Sequence, residues 1–160
     1  MNNFFSFLFL SIFCFPQLSH AQSFNEDKTA FANFLKRMYT AAPFEGIKIV
    51  DDYDHQYLIS VITLEKAKYS NPAIMNRVAQ VKAQSQANTF LNGANISMDL
   101  IITTKEIKDT SDKVKTITET VESIRQNSVG FTQGLELLIN FESSDYTKTT
   151  FIYTRALMKN

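Results

Sequence analysis

Residues 1–21 contain no Asp, Glu, Lys or Arg, and between positions 4 and 15 an apolar run is broken only by Ser6, Ser11 and Cys14. The run has the length of a signal-peptide core and falls short of the roughly 20 apolar residues that cross a bilayer. Pro16 ends the hydrophobic stretch, and Ser19-His20-Ala21 places small residues three before and one before a cleavage point. A secretory signal peptide over residues 1–21, removed after Ala21, is therefore expected, although only the N-terminal amine supplies its positive charge. An uncleaved anchor is disfavoured by the short run. Acylation at Cys14 is disfavoured by the bulky Ile12-Phe13 before it.

What remains is residues 22–160, a size suited to a single domain with one core. All 16 basic and all 16 acidic residues fall in this part, so its formal charge is zero. Such a surface gives no electrostatic reason to expect a nucleic acid or an anionic membrane as partner, and no integral span is expected after cleavage. The single cysteine lies in the leader, which leaves the domain without a disulfide or thiol chemistry. A disulfide-free exported domain points to a bacterial protein, periplasmic or extracellular. His55 is the one histidine beyond the leader, so any imidazole base or metal ligand must be His55. No cofactor is expected.

Along the chain, Ser23 and Glu26 stand at capping-box spacing, and Phe31, Phe34, Leu35 and Met38 recur at helical spacing, predicting a helix over about 26–41. Residues 47–51 and 56–64 are rich in β-branched and aromatic types around a polar turn, which reads as a hairpin. Asn71-Pro72 starts a second helix that runs to about Leu91, with Gly93 at its C-cap. Ile74, Val78 and Val81 mark one of its stripes, and Ala79, Ala83, Ala87 and Phe90 mark another suited to close packing on a sheet. From Ile96 to Ile102 the period is two, predicting a strand, and residues 109–112 read as a turn. Residues 113–124 carry apolar residues at helical spacing, but their threonine density favours a strand, which is the expectation here. Residues 135–141 and 149–157 predict a last hairpin around Ser143-Ser144-Asp145. The order α-β-β-α-β-β-β-β implies an α+β fold: a mostly antiparallel sheet of about five or six strands, with one long helix and a shorter N-terminal helix on one face.

The alanine-bearing helix leading into a strand, the segment Ser128-Val-Gly-Phe-Thr-Gln-Gly-Leu-Glu-Leu-Leu and the final Phe151-Ile-Tyr-Thr-Arg strand form a recognisable pattern. Over about half of the mature chain it resembles the N-terminal domain of flagellar assembly protein T and the small bacterial envelope lipoproteins related to it. Those lipoproteins carry an acylated cysteine at the cleavage site, where this chain has Gln22. The resemblance implies a non-enzymatic envelope module and transfers no functional residue.

The densest cluster of ligand-type groups is Asp51, Asp52, Asp54 and His55. Asp52, Asp54 and His55 form a candidate metal site, because oxygen-rich turns hold hard cations, while the plainer reading is a solvated hairpin turn. The spacing is not that of an EF-hand loop. Glu65, Lys66 and Lys68 read as a solvated connection. Tyr53, Tyr57, Tyr69, Tyr146 and Tyr153 could line a groove, but at strand spacing they read first as packing. Asn95-Ile96-Ser97 is a formal glycosylation acceptor, read as coincidence. Gly130 and Gly134 read as a bend entering the next strand. No catalytic set is assigned. The expected role is a binding or assembly module that reaches an envelope protein, or a second copy, through an edge strand. The alternatives are a small hydrolase or metal-dependent enzyme using His55 with Asp52 or Asp54, and a small-ligand carrier with its cavity between the long helix and the sheet.

Overall fold

The computed structural model describes residues 19–52, 55–93, 98–103, 111–125 and 128–157. Five strands form one sheet: β1 Gly46–Asp52, β2 His55–Glu65, β3 Ile101–Thr103, β4 Glu136–Glu142 and β5 Lys148–Leu157, in the order β3-β1-β2-β5-β4. The β1–β2, β2–β5 and β4–β5 pairs are antiparallel, and β1–β3 is parallel. The fold is α+β, and its sheet is mixed, with one parallel pairing.

The helices are α1 Ser19–Ala41, α2 Pro72–Gly93, α3 Ser111–Arg125 and α4 Ser128–Gln133. They occupy both faces of the sheet, which corrects the expectation of one. On one face α1 sets Leu35 against Val50, Ile59, Val61 and Ile152, with Phe31, Phe34 and Met38 beside them. On the other face α2, α3 and α4 cover Ile49, Leu58, Ile62, Leu64 and Phe151. The cause lies in β2, where neighbours pointing to opposite faces (Leu58 and Ile59, Val61 and Ile62) are all buried, so each face needs its own cover. α1 is no shorter than α2, and it begins at Ser19, so Ser23 lies inside the helix instead of at its start.

α2 starts as expected. The Asn71 side-chain oxygen accepts from the Ile74 amide at 2.9 Å, and Pro72 fills the first helical position, where no donor is needed. Ala79, Ala83 and Ala87 are fully buried, and Ser60 of β2 donates to Gln86 at 2.9 Å, holding the helix close to the strands. Of the other stripe Val78 packs on the core, while Ile74 and Val81 are exposed.

Three expectations change in the second half. Residues 113–124 are helical. Ile117 and Val121 are buried and Ile124 packs beside them, while Thr116, Thr118 and Thr120 each donate to the carbonyl four residues back at 2.7–2.9 Å. Those back-bonds satisfy the hydroxyls within the helix, which removes the objection that threonine raised. Residues 128–133 form the short α4 in place of a bend. Where a strand was expected to reach 102, residues 98–100 form a turn of 3₁₀ helix, Met98–Leu100, before β3, with Leu100 facing the α2 side and Ile102 the α1 side. Positions 94–97 and 104–110 lie outside the described residues, and with them Asn95 and the first half of the expected 109–112 turn, whose second half, Ser111 and Asp112, opens α3.

The last hairpin forms as expected. The Ser143 amide donates to the Lys148 carbonyl at 3.0 Å, and Asp145 accepts from the Ser143 hydroxyl at 2.6 Å and the Thr147 amide at 3.1 Å. Tyr146 sits at φ 58°, the left-handed region that seldom holds a non-glycine residue. Among the described residues no helix is long and apolar enough to cross a membrane.

Candidate functional site

The β1–β2 hairpin separates Asp51 from Asp52 and sets Asp52 opposite His55. Asp51 and Asp52 are consecutive in a strand, so their side chains leave opposite faces of the sheet. Asp51 is buried, stands opposite Gln56 and accepts from its amide at 3.4 Å. Asp52 stands opposite His55, whose exposed ring lies 6.2 Å from that of Tyr57. Asp54 lies outside the described residues, and among those described no group of three His, Cys, Asp or Glu is placed to hold a metal ion.

The tyrosines are likewise dispersed. Tyr57 packs on Phe31 at 4.6 Å on the α1 side, Tyr69 packs against the α2-side core, and Tyr146 stands exposed at the hairpin tip. Tyr53 is outside the described residues. Lys68 pairs with Glu65 at 3.0 Å and holds its carboxyl below the usual range, and Lys66 pairs with Glu142 at 2.5 Å. Both are exposed surface pairs of the kind that contribute little. Around the two glycines, Arg155 donates to the carbonyls of Gly130, at 2.9 Å, and Phe131, and its guanidinium lies 4.5 Å from the Phe131 ring centre. Arg155 thereby caps the end of α4, a structural role.

The feature that sequence reasoning missed is a groove of about 550 Å³ between the first turns of α2 and the start of β4. Ala73, Asn76, Arg77 and Gln80 form its helical wall, because positions three and four apart share one helix face. Leu135, Glu136 and Leu137 form the opposite wall. Tyr153 forms part of the lining; its hydroxyl donates to the Asn76 carbonyl at 3.4 Å, and burial pushes its pKa up, so it stays protonated. The 73-76-77-80 spacing was visible in the sequence, but the nearness of β4 to α2 depends on the strand order.

The groove opens beside a free sheet edge. Among the described residues no strand pairs with the outer side of β4. A bulge between Leu137 and Ile139 turns both Leu138 and Ile139 towards α1, where Phe141 also packs. Leu137, Asn140 and Glu142 are left exposed on the α2 side. Fold and groove together define a small α+β sheet protein, helix-covered on both faces, with β4 at one edge and β3 at the other each unpaired on its outer side among the described residues. No family model matches the chain, and comparison with curated proteins and with solved structures gives no match.

Proposed function

We propose that this chain is an exported, non-enzymatic binding or assembly module that works by adding a partner strand to β4. The observation that carries the reading is the unpaired outer side of β4 among the described residues, with an α2-facing surface that no helix covers. An exposed edge offers a row of backbone donors and acceptors, and an incoming strand satisfies them. The leader-like residues 1–21 and the likeness to flagellar assembly protein T and its lipoprotein relatives support a place in the bacterial envelope.

The test combines light scattering on the purified chain with retention of envelope proteins by the wild type and by Leu137→Lys and Asn140→Lys. Charges on the exposed face of an edge strand discourage pairing without disturbing the core. The variants should melt with the wild type and lose whatever the wild type retains or self-associates with. A monomer that retains nothing, or variants that retain everything, counts against strand addition. Fractionation with N-terminal sequencing should find Gln22 at the start of an exported form, and an intact Met1 in the cytosol would overturn export.

A further inference from the structure

We propose that the groove between α2 and β4 receives an aspartate or glutamate side chain carried by an extended peptide segment paired with β4, an inference that rests on the strand-addition reading above. The groove presents hydrogen-bond donors: the Arg77 guanidinium and the amides of Asn76 and Gln80, the Tyr153 hydroxyl being committed to the Asn76 carbonyl. Among the described residues no carboxylate pairs with Arg77. The one acid of the lining, Glu136, pairs instead with Lys28 of α1 at 3.5 Å, on the opposite face of the sheet. The α2 wall of the groove is therefore donor-rich and carries the Arg77 charge, while the acid of the lining is engaged with Lys28, an arrangement that complements a carboxylate.

Continuity with β4 selects a peptide. A strand added to β4 would lie about 4.8 Å from it, with alternate side chains directed to the α2 face. A residue of that strand beside Leu137 would project into the recess under Arg77. A second copy of this chain is a poor occupant. The bulge places Leu138 and Ile139 on one face, so in the register centred on Asn140 two antiparallel copies of β4 match faces only over residues 139–141 before Glu142 meets Leu138 of the other copy. Register in a sheet depends on that match.

The experiment uses fluorescence anisotropy on the purified chain with terminally blocked heptapeptides of alternating threonine and valine, bearing glutamate, glutamine or lysine at the centre. The glutamate peptide should bind about tenfold more tightly than the glutamine one, as a charge-assisted hydrogen bond implies. Arg77→Gln should abolish that preference with an unchanged melting temperature, and Arg77→Glu should transfer it to the lysine peptide. Equal binding of all three peptides to the wild type would overturn the proposal and leave strand addition standing. If none binds, the proposal also falls, while the retention assay with Leu137→Lys still judges strand addition by itself. Two further arms distinguish the source of the carboxylate. Succinate displacing the glutamate peptide at equal concentration would assign the groove to a free small acid. A glutamine peptide with a free C-terminus that matches the glutamate peptide would assign it to a chain end. Either result overturns the side-chain form.

Discussion

The two faces of β4 are treated differently. Towards α1, Leu138, Ile139 and Phe141 all pack, and Lys36 of α1 lies 5.6 Å from the Phe141 ring centre. Towards α2, Leu137, Asn140 and Glu142 face solvent, because α2 lies over β1, β2 and β5 and stops short of the outermost strand. The bulge creates this asymmetry by moving one extra apolar residue to the α1 side. The same sheet is therefore sealed on one side and stepped on the other, and the step is the groove. An open surface can be built this way without weakening the core, provided that both buried layers carry their share of stability.

That proviso can be broken most directly in the α2-side layer. Phe151 is fully buried there, and Phe151→Ala should cost about 3–5 kcal/mol in urea unfolding. In the α1 layer Leu35 is equally buried, and Leu35→Ala should cost about 3 kcal/mol. A loss below about 1 kcal/mol would show that α1 is a loose cover and would void the two-layer comparison. A smaller effect sharpens the attachment of α1. The Tyr39 hydroxyl meets Thr63 at 3.0 Å and Thr150 at 3.3 Å, and those threonines meet each other at 3.2 Å. Tyr39→Phe should cost about 1 kcal/mol, since the two threonines keep their mutual bond.

The smallest expected effect concerns the turn that joins β4 to β5. Asp145 has its pKa lowered to about 2 by the Ser143 hydroxyl first and the Thr147 amide next. A carboxyl depressed in the folded state stabilises above its unfolded pKa of about 3.9 and loses that contribution as pH falls towards 2. Unfolding measured across that window should show a shallower acid loss for Asp145→Asn than for the wild type. Equal slopes would mean that the turn is held without the ionised form.

The elements whose signal is local were legible in the chain: the Asn71-Pro72 start of α2, its buried alanines, both hairpins, and the Leu35 stripe of α1. The second helical layer was not read, although a strand such as β2, apolar at consecutive positions, needs cover on both faces. α3 was misread because threonine weighs towards strand unless its hydroxyl can bond back to the preceding turn, a possibility that composition does not reveal. The acidic cluster looked convergent because four ligand-type residues were adjacent in sequence, yet strand alternation sends Asp51 and Asp52 apart. The groove was hidden for the opposite reason. Arg77 and Leu137 are far apart in sequence, and only the strand order brings them near each other.

The arginine cap on α4 carries a consequence for the chain's tolerance to change. A β-carbon built at Gly134 would fall closer to the Arg155 guanidinium than non-bonded contact permits. Even a methyl group at that point must evict the guanidinium, stranding the carbonyls of Gly130 and Phe131 without their donor. A substitution at position 134 is therefore accommodated by a swing of the flexible Arg155 side chain, and it would be felt first as fraying of the short helix before it.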